Sequence, residues 1–430
     1  MFEKFKPKLN KLKKTGFFSI FLSSVFSKVL VFIGSTIIVR ILSKTDYGIY
    51  AYILNCVSML CLLNDFGAST GALQFLTEVG KDDNKKGAII NYSLKMACFS
   101  AVLSSILILL SPLYYPFTLK MGRELTPYMF FVPFLTTLTT IFPIVLRANL
   151  DNKKYAKLQL FSTFSNYVLL IILSLLWGLV GAIVSHYIYY IVVLIYAIYL
   201  CKNYLKNYNL KNKLLKEEKK EFLKFSLASQ INNSISGFLI IVDTFLIGLM
   251  VAKEEVVAIY KVASAIPHAL TFISSCVAIY ILPYFIKNNN NFSWIRVNLK
   301  KLITYGFFGY GIICLFIIIF SKFIINLVYG SAYLDAVPTF IVLMVGLFFS
   351  STFKVPCANI IHSMKKVRIN IIVNVISIVI NVISNIIFIR MWGFIGSAVS
   401  TTLINILSSI FYVCYLYRIL NIREREYDKK

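Results

Sequence analysis

Long apolar stretches separated by short polar segments set the pattern of this chain. Twelve of them lie at about 16–39, 47–76, 87–111, 126–149, 156–176, 178–201, 223–250, 256–286, 299–320, 337–363, 368–390 and 393–417. Each is long enough to cross the ~30 Å hydrocarbon layer of a membrane, which takes about 20 helical residues. A transmembrane barrel would show weak alternating segments of ~10 residues instead, so helices are predicted and strands are not. The first stretch follows the basic segment Lys4–Lys14, an arrangement shared with signal peptides. It is too long for one, carries Lys28 and lacks a small-residue cleavage site, so it reads as a retained first span.

Composition narrows the class. Of 430 residues, 58% are hydrophobic and 14% charged, where soluble chains carry roughly 25% charge. So small a polar surface cannot cover so large an apolar core, and a chain this apolar is not disordered. The fold class expected is an all-α polytopic membrane protein of about twelve helices.

Lys and Arg number 44 against 18 Asp and Glu, a net charge of +26. In a soluble chain that excess would suggest nucleic acid. Here its placement decides. With the N-terminus in the cytoplasm, the connections on that side hold 32 basic residues. Those on the other side hold 7: Arg40, Lys44, Lys120, Arg123, Lys253, Lys322 and Arg390. This is a positive-inside bias with both termini cytoplasmic. The charge is topology, and no nucleic-acid partner is expected. The eight cysteines form no Cys-x-x-Cys pair and the three histidines lie far apart, so neither a disulfide framework nor a metal site is expected.

Lys202 to Lys224 is the longest charged connection and divides the spans six and six. The expected domains are an N-terminal six-helix bundle over 1–201, a charged cytoplasmic linker over 202–222 and a C-terminal six-helix bundle over 223–430. An internal repeat supports the division. Trp177-Gly178-Leu179-Val180-Gly181-Ala182-Ile183-Val184-Ser185 matches Trp392-Gly393-Phe394-Ile395-Gly396-Ser397-Ala398-Val399-Ser400 at an offset of 215, shared by Asn166 and Asn381. Ala148-Asn149 matches Ala358-Asn359, and Lys153-Lys154 matches Lys365-Lys366. An even number of spans in each half makes the repeats parallel, as in transporters whose halves enclose a site of alternating access.

Ionisable groups within membrane spans are costly and mark functional sites by default. The candidates are Lys28, Asp65, Lys95, Arg147, Asp243, Lys261, His268 and Lys354. Arg147 ends its span and can snorkel to the interface, and Lys95 is within reach of doing so. Distance along each hairpin places Lys28 level with Asp65, and Asp243 level with Lys261, at 1.5 Å rise per residue. Two readings stand for these pairs: structural ion pairs, or the lining of a polar cavity that binds an anion or a coupling ion. His268 is midspan and titratable. Pro133, Pro143, Pro267, Pro283 and Pro356 interrupt spans and predict kinks. A Gly-x-x-x-Lys-Ser/Thr phosphate loop is absent, and no loop carries paired carboxylates or a nucleophile motif. No catalytic residue, enzyme activity or cofactor is expected.

Several segments resemble one family in order along the chain. They are Arg40-Ile41-Leu42-Ser43-Lys44-Thr45-Asp46-Tyr47-Gly48-Ile49-Tyr50 after the first span, Asp65-Phe66-Gly67 in the second, and Asp243-Thr244-Phe245-Leu246-Ile247-Gly248 with Ile259-Tyr260. Val328-Tyr329-Gly330-Ser331-Ala332-Tyr333-Leu334-Asp335-Ala336 and Trp392-Gly393-Phe394-Ile395-Gly396 complete the set. This is similar to the Wzx-type O-antigen and capsule flippases of the multidrug/oligosaccharidyl-lipid/polysaccharide exporter superfamily. The resemblance implies two six-helix bundles around a central cavity, as in MATE transporters, in a bacterial inner membrane. It implies translocation of undecaprenyl-diphosphate-linked oligosaccharide units to the outer leaflet by alternating access, for O-antigen, capsule or exopolysaccharide assembly. Lys28, Lys261 and Lys354 are then the cavity residues that meet the diphosphate or acidic sugars, and Asp65, Asp243 and His268 the charge partners or ion-coupling groups. Membrane lipids, a polysaccharide polymerase and a chain-length regulator are the further partners implied.

Other functions predict other features. A cation-coupled multidrug exporter favours acidic cavity residues, whereas Lys outnumbers acid here. A membrane polymerase or acyltransferase needs a catalytic outer loop or a His-containing motif, and neither is visible. A transporter of the major facilitator type carries a basic loop between spans 2 and 3 that Gly80-Lys81-Asp82-Asp83-Asn84-Lys85-Lys86 matches poorly. With no nucleotide motif, the drive is an ion gradient, the membrane potential or consumption of product outside.

Overall fold

The structure, a computed structural model, describes residues 17–427 apart from 81, 116, 117, 210, 289, 290, 365 and 366. The basic segment Lys4–Lys14 and Lys81, Lys365 and Lys366 lie outside the described residues. Every regular element among the described residues is helical. In hydrocarbon no water is present to satisfy the backbone, so an apolar stretch must close its own hydrogen bonds as a helix.

Polar residues at the ends of the apolar stretches start the helices. Ser43 caps α2 (Lys44–Leu60), its hydroxyl accepting from the Asp46 N–H at 3.0 Å. Asp82 caps α4 (Asp83–Tyr114), accepting from the Lys85 N–H at 3.0 Å, and Asp151 caps α6 (Asn152–Asn207), accepting from the Lys154 N–H at 3.2 Å. Each cap satisfies an N–H that the first helical turn leaves open. The remaining long helices are α1 (Phe17–Ile41), α3 (Ala68–Val79), α5 (Val132–Ala148), α7 (Lys216–Val251), α8 (Glu254–Lys287) and α9 (Phe292–Ile319). They are followed by α10 (Val337–Phe349), α11 (Val355–Ser363), α12 (Val367–Trp392) and α13 (Phe394–Tyr427).

Nine helical stretches of the described residues are long and apolar enough to span a membrane, and two bent pairs bring the number to eleven. The pairs are α2 with α3, bent by 47°, and the short helices over 120–129 with α5, bent by 48°. Straight, the 56 residues of α6 would be far too long for one crossing. The chain reverses at Trp177 and Gly178, where the backbone leaves helical geometry, so α6 is a hairpin of two spans and the count is twelve.

Both copies of the Trp-Gly repeat make this reversal in the same way. Gly178 (φ +55) and Gly393 (φ +61) adopt the left-handed conformation that glycine takes without a Cβ penalty. Three residues on, Gly181 and Gly396 lie so close to the carbonyls of Leu173 and Phe388 that a Cβ would come within 1.8 and 2.0 Å of them. The 215-residue offset of the sequence is thus repeated contact for contact.

The chain divides into two compact units, Met1–Gly237 and Phe238–Lys430. Of the described residues in the stretch expected as a linker over 202–222, most are helical, in the end of α6 and the start of α7, and 208, 209 and 211–215 lie outside them. Ala72, Leu76, Ile90, Val145, Leu146 and Phe222 belong to one apolar core of the first unit. Ile295, Leu299, Cys357, Ile360, Leu416 and Leu420 occupy that place in the second.

Candidate functional site

The second unit holds a buried carboxylate surrounded by neutral donors. Asp243, on α7, accepts from the Tyr260 hydroxyl at 2.9 Å and from the Thr401 hydroxyl on one oxygen. Its other oxygen accepts from the Asn385 amide at 3.0 Å and the Asn381 amide at 3.4 Å. Hydrogen bonds to a charged group contribute about 1.5–3 kcal/mol each, and four of them offset much of the cost of burying a carboxylate. Asn381 and Asn385 spend their donors on Asp243, and their own carbonyl oxygens are buried with no hydrogen-bond partner among the described residues.

Two polar stripes build this cluster. Along α12, Asn374, Ser377, Asn381, Ser384 and Asn385 recur at helical spacing in an Ile-rich helix. Along α13, Ser397, Thr401, Asn405 and Ser408 do the same. Residues so spaced share one helix face. The stripes meet at Ser377 with Ser408, 3.3 Å, and Ser384 also pairs with Ser400, the neighbour of Thr401 on α13.

Asn405, one turn beyond Thr401, accepts from the Lys354 ammonium at 3.3 Å. Lys354 closes a π-helical turn, Ser350–Lys354, between α10 and α11. Such a wide turn is a frequent mark of a functional position. One face of α13 thereby holds both an acid and a base, Asp243 through Thr401 and Lys354 through Asn405.

Neither of the expected hairpin pairs is an ion pair in this structure. Lys261 lies within electrostatic reach of Asp243 but makes no ion pair with it; the neighbouring Tyr260 takes that place. His268, exposed, is within electrostatic reach of both. In the first unit, Lys28 is exposed on α1 and makes no ion pair with Asp65. Asp65 is buried and turned back on its own chain, where its carboxylate accepts from the Ser69 N–H at 2.9 and 3.2 Å and caps α3. Lys95 and Arg147 are exposed, and the Arg147 guanidinium lies 5.5 Å from the centre of the Tyr155 ring.

Asp65 belongs to a break in the second span. Asp65, Phe66 and Gly67 all have positive φ (71°, 47° and 77°). The freed polar groups find partners on other helices. The Leu62 carbonyl accepts from Gln230 at 2.8 Å and Ser234 at 2.5 Å, the Leu63 carbonyl from Ser100 at 3.3 Å, and the Asn64 amide donates to Thr137 at 3.2 Å. Irregular backbone at membrane depth persists only where protein or a cavity satisfies it, as here.

Sequence reasoning did not assign Tyr260, Asn385, Thr401 or Asn405 to the site. The signal that would have found Asn385, Thr401 and Asn405 is the helical spacing of Asn, Ser and Thr along 374–408, read as a stripe instead of as isolated polar residues; Tyr260 lies outside that stripe.

A family model described as polysaccharide biosynthesis protein matches residues 14–289. The chain belongs to this family. No curated protein matches it. As a polysaccharide biosynthesis protein it is similar in fold to an inward-facing multidrug resistance MATE family transporter of the MOP superfamily. That similarity has a TM-score of 0.80 at 15% identity, over 93% of this chain and 96% of the other. It is also similar to the lipid II flippase MurJ in an inward closed conformation (TM-score 0.70, 17% identity, 93% and 87% covered). A MOP superfamily transporter from Pyrococcus furiosus Vc1 (DSM3638) has a TM-score of 0.56 at 14% identity, with 95% and 94% covered. The chain therefore has the multi-pass helical fold of these transporters and this flippase.

Proposed function

We propose that this chain flips undecaprenyl-diphosphate-linked oligosaccharide units from the cytoplasmic to the outer leaflet of a bacterial inner membrane, by alternating access and without covalent chemistry. O-antigen, capsule and exopolysaccharide assembly are the processes this would serve. The observation that carries the reading is the pair of ionisable groups on one face of α13, in a membrane-spanning member of a polysaccharide biosynthesis family. A diphosphate headgroup cannot cross hydrocarbon unaided, because an unpaired buried charge costs several kcal/mol or more. Lys354 supplies a cation at depth for that headgroup, with Lys261 and Lys28 as further cationic candidates. The polyprenyl tail can stay in lipid.

Asp243 is the proposed coupling residue. Its carboxylate, the Thr401 hydroxyl and the two unpartnered amide oxygens form an oxygen-rich set suited to a proton or a small monovalent cation. Asp65 is committed to capping α3 and is a weaker candidate, and His268 stands near Asp243 as a second titratable group. The drug-exporter reading draws on the same buried acid, but Lys261, within electrostatic reach of it, opposes a cationic cargo.

The test is transfer in proteoliposomes loaded with an undecaprenyl-diphosphate-linked oligosaccharide, read by its accessibility to an externally added glycosidase. Wild-type protein is expected to expose the inner-leaflet pool, and Lys354→Met to slow this at least tenfold. Export of cationic dyes without transfer of the glycolipid would sink the flippase reading.

A further inference from the structure

A cavity lies wholly within the first unit, and none of its lining residues belongs to the charge-based site. It has a volume of about 350 Å³, at the lower end of the roughly 300–1,000 Å³ typical of small-molecule sites. Three helix faces converge on it. The Thr-rich face of α5 contributes Thr139 and Thr140, the first arm of α6 contributes Gln159 and Ser162, and the second arm contributes Tyr189 and Tyr190. With Thr136 and Pro143 on α5, Tyr155 and Leu158 on the first arm of α6 and Val193 on the second, the lining residues recur at spacings of three and four and share one face of each helix.

The lining is uncharged and mixes hydroxyl and amide groups with the apolar side chains of Pro143, Leu158 and Val193. Its hydrogen-bonding capacity is partly spent and partly open. Thr139 and Thr140 donate to the carbonyls of Thr136 and Thr137 at 2.9 and 2.8 Å, which leaves their oxygens free to accept. Gln159 accepts from Ser23 at 3.4 Å, and its amide N–H groups have no partner among the described residues. The Tyr190 hydroxyl likewise has none. The Ser162 and Tyr189 hydroxyls pair with each other at 2.9 Å. The cavity therefore offers donors and acceptors together and no charged side chain in its own lining; the Arg147 guanidinium lies 5.5 Å from the centre of the Tyr155 ring, one of the lining residues.

A pyranose ring fits that chemistry. It brings several neutral hydroxyls that both donate and accept, and an apolar C–H face that suits the negative face of an aromatic ring. Tyr155, Tyr189 and Tyr190 supply aromatic rings in the lining. An apolar drug would desolvate the open polar groups without replacing their hydrogen bonds.

We propose that this cavity is a glycosyl subsite that binds an uncharged sugar of the translocated headgroup. The proposal rests on the flippase reading and deepens it. It assigns sugar recognition to the first unit and separates it chemically from the charged groups of the second.

The test uses the full chain in lipid nanodiscs and two kinds of probe. One is bare undecaprenyl diphosphate. The other is a panel of the same lipid carrying a single glucose, galactose, N-acetylglucosamine or N-acetylgalactosamine. Wild-type protein is expected to bind at least one panel member tenfold or more tighter than the bare lipid. The double variant Thr139→Val with Gln159→Leu, which keeps shape and volume, should lose that advantage and leave bare-lipid affinity unchanged. Tyr190→Phe removes a single hydroxyl and should lose part of it, which covers the case in which the double variant fails to fold. No advantage of any glycosylated lipid in wild type, or equal loss for both kinds of probe in the variants, overturns the subsite. Failure of wild-type protein to bind any of the lipids overturns the flippase reading itself.

Discussion

Asp243 shows how a carboxylate is kept inside an apolar bundle without a basic partner. Four neutral groups converge on its two oxygens, from Tyr260, Thr401, Asn381 and Asn385. Tyr260→Phe removes one of these bonds and nothing else of the ring. It is expected to destabilise the folded chain by about 1.5–3 kcal/mol, the range for a hydrogen bond to a charged group, as measured by thermal unfolding in detergent. The charge-swapped pair Asp243→Lys with Lys261→Asp should be inactive in glycolipid transfer. The swap leaves an ammonium facing hydroxyl and amide donors, while Lys261 was never the direct partner. Recovery of transfer by the swap would show that an ion pair organises the site after all. Depth along the helices placed Lys261 level with Asp243. Consecutive residues point about 100° apart around a helix, however, and depth says nothing of that angle. Tyr260 and Lys261 differ by that one step.

At the scale of the element, the two Trp-Gly hairpins make a graded prediction. At Gly178 and Gly393 a Cβ would meet nothing, so alanine there costs only the left-handed backbone, about 1–2 kcal/mol. At Gly181 and Gly396 a Cβ would press on the opposite arm's carbonyl, so alanine must pry the hairpin open. Gly181→Ala and Gly396→Ala are expected to lower the melting temperature more than Gly178→Ala and Gly393→Ala, in both halves of the chain. The reverse order in either half would contradict the close approach. The start of α6 carries a pH dependence. Burial pushes the Asp151 carboxyl up, but hydrogen bonds from Lys154 and Tyr204 outweigh it and hold the group below its ordinary value of 3.8. The depressed value means that the carboxylate contributes stability above 3.8 and loses it as the pH falls through the lower folded value. Hydrogen-exchange protection of the first turn of α6 should therefore fall on acidification through that range. Asp151→Ala should abolish this dependence.

At the scale of the molecule, topology follows from where the basic residues lie. The 32 basic residues on one side against 7 on the other should orient the chain with those 32 in the cytoplasm. Reporter fusions after residues 120, 212 and 335 are expected to read outside, inside and outside. An outward report from the fusion at 212, in the 208–215 connection between α6 and α7, would break the twelve-span order. The same order explains why the second and fourth spans are bent instead of missing. An interrupted helix still crosses when Gln230, Ser234 and Ser100 take up the carbonyls it frees.

The number of helices, the two-fold repeat and the identity of the ionisable residues were legible in the chain, each for a local reason. Bilayer thickness converts the length of an apolar run into a span. Gly178 and Gly393 reverse the chain through their own backbone freedom. Lys354 and Asp243 stand out against apolar neighbours wherever they point. What the tertiary structure alone decided is which groups meet. The three left-handed residues at 65–67 depend on partners from α4, α5 and α7, far away in sequence. The joint hold of α13 on Asp243 and Lys354, and the convergence of three polar faces on the neutral cavity, depend on the rotation of each helix about its axis. That rotation is set by the packing of whole helix faces against one another. In a chain apolar on nearly every face, no stretch of sequence taken alone specifies it.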